Sequence, residues 1–129
     1  MKFQSWRKDR IPMDADKRSA AKNTVTVTVD RAIGTCHPEY PDMRYPINYG
    51  FIKGIMAPDG EEQDAYIIGI NIPVKQFTGR VIAVVHRYDD KEEKWVVAPE
   101  NQTFSMDHIK KEIHFQEQYF DSEVIMLDT

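Results

Sequence analysis

The sequence predicts an α+β domain, mainly β, in which an antiparallel sheet or small barrel carries one packed helix. Three observations lead there. Several short segments alternate apolar and polar residues or run apolar at strand length. No helical pattern separates one strand from the next, so no βαβ alternation is present. One segment near the C-terminus repeats apolar residues at helical spacing.

Residues 1–23 are polar, with Phe3, Trp6 and Ile11 as anchors. They read as an N-terminal arm, or a short helix around 16–22, packed on the body or on a neighbouring subunit. Residues 24–129 read as a single domain. "TVTVTVD" (24–30) alternates Thr with Val, the period-2 signal of a half-buried strand. "GTCHPEYPDMRYP" carries three prolines and is expected to be irregular or edge-like. "INYGFIKGI" resumes strand character, and "AYIIGINI" reads as a buried strand. A longer strand is expected over 79–88, turning through "DDKEEK" into "KWVVAP", so that 80–97 forms a hairpin. Ser105 can cap a helix from Met106 to about Glu123, with Met106, Ile109, Ile113 and Phe120 on one face.

Composition narrows the function. The net charge of −4 argues against a counterion-displacing nucleic-acid binder. Lone Cys36 and four scattered histidines make no disulfide and no zinc pattern. No run approaches the roughly 18 apolar residues of a membrane span, and the charged N-terminus lacks the apolar core of a signal peptide. A cytoplasmic location without membrane or nucleic-acid partners is the expectation.

The stretch "DGEEQD" (59–64) crowds four carboxylates around Gly60. Two readings stay open. It can be a solvated turn, for which Asp59-Gly60 has the right chemistry. It can also be a hard-cation site, since crowded carboxylates repel unless a cation lies among them. "DDKEEK" (89–94) is a second acidic turn on the predicted hairpin. Facing the first across a barrel mouth, it would complete a multi-metal pocket with Lys94 free for a phosphate.

The motifs resemble those of the soluble, magnesium-dependent, barrel-type inorganic pyrophosphatases. "YPINYGFI", followed ten residues after Tyr49 by "DGEEQDA", is similar to that family's Y-P-x-N-Y-G-[FY]-I and D-G-D-P-x-D-[VA]. "VIAVVHRYDDKEEKWVVA" resembles its strand, acidic turn and D-x-K, and "HFQEQYFDSE" its H-F-x-E-x-Y-K-D-x-E. The resemblance runs from about Val25 to Glu123. It implies a closed five-stranded, antiparallel-type, OB-like barrel with a C-terminal helix packed on it. It implies Mg²⁺ (or Mn²⁺) ligated by Asp59, Asp64, Asp89 and Glu92. Lys94, Tyr49 and Tyr119 would contact a diphosphate or other small phosphorylated substrate, and Glu61 would stand at the water-activating position. Asp30 and Glu62 are further candidates, and assembly into a homo-oligomer is expected.

Departures from the pattern thin the cationic side. Glu61 replaces an aspartate, Glu62 a proline, Glu92 an aspartate and Phe120 a phosphate-binding lysine; His37-Pro38-Glu39 stands where K-Y-E is expected. The hairpin that brings an arginine is shortened to "YPDMR", and Arg44 does not match its position. The expectation is diphosphate hydrolysis at reduced activity. The alternatives are a metal-dependent hydrolase of another, nucleotide-like phosphoanhydride, or a catalytically degenerate phosphate- or metal-binding paralogue.

Overall fold

Alternation sets the first strand of the computed structural model, which describes residues 24–127. The expected arm over 1–23 lies outside the described residues. In β1 (Thr24–Arg31), Val25, Val27 and Val29 turn to one side and the threonines to the other. β2 (Asn48–Met56), β3 (Glu62–Ile67), β4 (Gln76–Arg87) and β5 (Glu93–Ala98) follow, then α1 (Met106–Glu117) and β6 (Ser122–Met126).

The pairing order is β1-β2-β3-β5-β4, and β4 pairs back onto β1, closing a five-stranded ring. All pairs are antiparallel except β3–β5, which is parallel. The closed five-stranded barrel with a helix packed on it is the expected fold, and its one parallel pair makes it mixed. An odd ring forces it: five strands cannot alternate in direction all the way round.

Two apolar layers hold the fold. Val27, Ile52, Ala65, Ile67, Val81 and Val97 come from all five barrel strands and fill the lumen. On the outer face, Tyr45, Tyr49, Tyr66, Val85 and Val96 pack under Ile109 and Ile113 of α1. Full burial of each isoleucine stabilises by about 1.5–3 kcal/mol. The helix starts at the expected place, with the Ser105 hydroxyl accepting from the His108 amide at 3.1 Å.

The helix does not run to Glu123 as expected. It ends at Glu117, and the next six residues turn and become β6. β1 covers β4 only over Gln76–Arg80, so the same edge is open beyond it. β6 takes that edge, pairing with Ala83–Arg87. Ladder bonds to an open edge outweigh one further turn of helix. β4 likewise begins three residues before the expected 79, where β1 supplies its partner.

The proline-rich stretch is a short hairpin-like loop. Gly34 N donates to Tyr45 O at 2.8 Å, Tyr45 N to Thr35 O at 2.9 Å and His37 N to Met43 O at 2.8 Å. Among the described residues no helix is long and apolar enough to cross a membrane.

Gly50 marks where β1 and β2 cross tightly. A Cβ there would meet the Thr28 carbonyl oxygen at 1.9 Å. Gly50→Ala is expected to cost about 3 kcal/mol or more, because a backbone, not a flexible side chain, must move. Gly54→Ala meets nothing within 4 Å but imposes a side chain on φ +82, and should cost about 1 kcal/mol. Urea midpoints of the two variants check the difference.

Candidate active site

Parallel β3 and β5 begin at the same end of the barrel, so the two acidic turns lie side by side. Asp64 and Lys94 are direct cross-strand partners. Lys94 Nζ donates to Asp64 Oδ2 and to Glu92 Oε1, each at 2.7 Å. Lys94 is only 4 % exposed, and an ammonium so buried requires partners. Burial opposes its charge, but Tyr49, Asp64 and Glu92 outweigh that and hold its pKa above the ordinary lysine value. Tyr49, on β2, lies 5.8 Å from Lys94 Nζ to ring centroid. Burial, reinforced by Asp64, keeps its phenol protonated well above the usual tyrosine range.

A buried polar chain runs beneath this cluster. Arg87, at the end of β4, sends Nε to both Glu117 oxygens at 3.0 and 3.2 Å and Nη2 to Oε2 at 2.7 Å. Its Nη1 lies 3.2 Å from Asp90 and 3.6 Å from Glu92, and its guanidinium sits 3.7 Å from the Phe120 ring centroid. Tyr66 OH donates to Glu117 at 2.6 Å, Gln116 Nε2 to Tyr66 OH at 2.8 Å, and Tyr45 OH to Gln116 Oε1 at 3.0 Å. Arg31 Nη1 closes the chain on Tyr45 OH at 2.7 Å. Both ends of the chain line a cavity of about 940 Å³, as do Tyr49, Asp64, Glu92 and Lys94.

Residues 6–123 match the sequence family described as inorganic pyrophosphatase. The chain belongs to the inorganic pyrophosphatase family. It is 42 % identical over 60 residues to the inorganic pyrophosphatase of Ralstonia nicotianae, an alignment covering 45 % of this chain and 31 % of that enzyme. It is 30 % identical over 129 residues to the inorganic pyrophosphatase of Rickettsia felis, covering 88 % of this chain and 68 % of that one. The fold matches the crystal structure of inorganic pyrophosphatase from Ehrlichia chaffeensis with a TM-score of 0.62 at 21 % identity, covering 82 % of this chain and 86 % of that chain. The family is one of hydrolases, named for cleavage of inorganic diphosphate.

Of the pyrophosphatase site residues expected from the motifs, Tyr49, Asp64, Glu92, Lys94 and Tyr119 line this same cavity, Tyr119 being 66 % exposed. Asp30, Asp59, Glu61, Glu62 and Asp89 are not among its lining residues. Asp59 Oδ1 accepts the Glu61 amide at 3.0 Å, folding the first acidic turn on itself. Glu62 Oε2 accepts the Gly54 amide at 3.1 Å, tying that turn to β2. Asp89 Oδ1 accepts the Asp121 amide at 2.6 Å, tying the second turn to the start of β6. Asp30 is exposed on β1; partial burial raises its pKa, and the Asp64 carboxylate adds to the rise.

Among the described residues no three carboxylate, imidazole or thiol groups stand together closely enough to hold a metal ion. Asp64 and Glu92 supply two carboxylates on one ammonium. That donor set fits Mg²⁺, which takes one or two carboxylates and fills its shell with water and substrate phosphate. Arg87, Glu117 and Gln116 were missed by the sequence reading. An arginine ending an apolar strand, and an acid one turn after Ile113 on the helix's buried face, were the signals available.

Removing one partner of a buried ion pair strands the other. Glu117→Gln is expected to cost about 3 kcal/mol, and Arg87→Met in the same background to recover at least half of it, read by thermal or urea denaturation. Tyr66 gives a pH signature. Burial, then the Glu117 carboxylate, raises its phenol pKa well above the ordinary value. The folded state thus holds this proton more tightly than the unfolded chain. The contribution is complete below about pH 10, the unfolded tyrosine value, and declines as pH rises beyond it. Tyr66→Phe should lower neutral stability by about 1–3 kcal/mol and flatten the alkaline decline.

Proposed function

We propose that this protein hydrolyses inorganic diphosphate to two phosphates, with Mg²⁺ or Mn²⁺ as activator. The observation that carries the reading is the convergence of Asp64, Glu92 and Lys94, from two separate acidic turns, on one open cavity. When bound, the divalent ion supplies charge neutralisation on phosphate oxygens and water of lowered pKa. Asp64 and Glu92 would hold it, with Asp59 and Asp89 on the flanking turns as auxiliary ligands. Glu61, exposed on the first turn, is assigned the water proton. Lys94 balances the carboxylate pair before substrate arrives and holds both side chains at the cavity. Tyr49 stays neutral and offers a hydroxyl proton to a phosphate oxygen, and Tyr119 contacts the substrate at the rim. In keeping with the family, the reading includes self-association and a cytoplasmic location; light scattering tests the first.

A second reading has its own observation. The cavity falls in the volume range that holds drug-sized ligands and is edged by Tyr40, Tyr119 and Phe120. A larger phosphoanhydride with an aromatic group could enter it. A panel of nucleotides run beside diphosphate separates the two; diphosphate turnover equal to or better than the rest rejects the larger substrate.

Purified protein with Mg²⁺ is expected to release phosphate from diphosphate at neutral to alkaline pH. Asp64→Asn should lower kcat by about 10²–10³-fold, the usual cost of removing one preorganised electrostatic group. No phosphate release by the unaltered protein across that range sinks the proposal.

A further inference from the structure

The cations of the cavity divide into committed and uncommitted ones. Lys94 is shared between two carboxylates. Arg87 is shared among Glu117, Asp90 and Glu92. Neither has a surplus of charge to offer an incoming phosphate. Arg31 differs. It lines the same cavity, forms no salt bridge among the described residues, and has Tyr45, Tyr49 and Asp30 as its electrostatic neighbours.

Its position is built. β1 and β2 pair Val29 with Gly50 but Arg31 with Tyr49, so Asp30 is an extra residue, a β-bulge. Strict alternation would send residue 31 to the lumen with Val25, Val27 and Val29. The bulge turns it to the face of Tyr49 and the cavity instead. There the guanidinium lies 5.7 and 5.6 Å from the ring centroids of Tyr45 and Tyr49. One nitrogen is anchored on Tyr45 OH, itself fixed by buried Gln116. Among the described residues one donor is used, and the remaining N–H groups of the fork can meet a ligand. Arg44 stands on the same wall, its Nη1 donating to Gly34 O at 2.9 Å.

We propose that Arg31 is the phosphate-binding cation of this cavity, taking the place of the lysine that Phe120 replaces. The assignment rests on the diphosphate reading above. The cavity is then polar end to end: Asp64 and Glu92 supply the anionic pole that accepts a divalent ion, and Arg31, with Arg44 beside it, supplies the cationic pole that grips the phosphate oxygens bidentately.

The test compares unaltered protein with Arg31→Gln, Arg31→Lys and the exposed charge control Lys110→Gln. Two readouts are taken: calorimetric affinity for methylenediphosphonate, a non-hydrolysable diphosphate, and KM and kcat for diphosphate. Arg31→Gln should weaken diphosphonate binding and raise KM about tenfold or more, and lower kcat/KM about 10²-fold. Arg31→Lys should recover part of both, and Lys110→Gln should change neither. Should Arg31→Gln fail to fold, Tyr45→Phe keeps the charge but removes the anchor, and is expected to weaken diphosphonate binding about fivefold. Affinity and KM within about twofold of the unaltered protein in Arg31→Gln (in Tyr45→Phe, where it stands in), or an equal loss in Lys110→Gln, overturn the assignment. Diphosphonate binding that depends on Arg31 without phosphate release sustains the assignment and removes the hydrolase reading. No diphosphonate binding by the unaltered protein removes the assignment itself.

Discussion

Five strands closed in a ring must contain one parallel pair, and the place where that pair falls decides what the barrel can do. Here it is β3–β5. Parallel neighbours start at the same end, so the turns entering them are adjacent, and both turns are acidic. Antiparallel pairing at this seam would have put the two turns at opposite ends of the barrel. Parallel register sets Asp64 directly beside Lys94, and Glu92 two residues before it completes the cluster. The site is thus a consequence of closure before it is a consequence of any single side chain.

Electrostatics then constrain what the cluster can hold. One ammonium between two carboxylates leaves a net negative charge beside buried Tyr49. A phosphate approaching that seam alone is repelled, while a hard divalent cation is attracted. The same imbalance explains why Lys94 is insufficient as a substrate cation and why the opposite wall matters. For the proposed diphosphate chemistry the cavity needs a positive pole as much as a metal-binding one, and in the proposed assignment the barrel supplies it through an irregularity in β1 rather than through a motif residue.

Much of this was legible in the sequence. Threonine–valine alternation fixes the face of β1, the two acidic turns flank apolar strands, and Ser105 caps the helix where an apolar stripe begins. The two acidic turns and the family resemblance singled out Asp64, Glu92 and Lys94, and the structure brings these three together. What stayed hidden depends on register. Asp30, not Arg31, was the candidate on β1, because the family resemblance implies an acidic residue on that strand; the bulge that turns Arg31 to the cavity adds one residue to the count and leaves no mark in residue type. The helix was carried on to about Glu123, into the start of β6, because Phe120 continues the apolar stripe; only the open half of β4, a tertiary fact, makes that end a strand. Arg87 and Glu117 meet across 30 residues of sequence, and nothing local announces the pairing.

The attachment of α1 shows why the walls of the cavity hold their shape. Ile109 and Ile113 anchor the first half of the helix by apolar packing, which tolerates sliding. The second half is held by Gln116 and Glu117, bonded to Tyr45, Tyr66 and Arg87. Hydrogen bonds and bidentate ion pairs are directional, so this half is fixed in rotation as well as distance. That is the half facing the cavity. A buried ion pair is a poor source of net stability, since desolvation offsets much of its attraction. Its value here is geometric: it ties the end of β4 to the helix, while Tyr66 and Gln116 carry the tie to Tyr45 and Arg31. Arg87 stacks on Phe120, the residue set against a lysine by the family resemblance, yet Glu117 already claims its charge. The guanidinium that fixes the wall is already committed to Glu117, and the proposed cation for phosphate lies at the other end of the same chain of bonds.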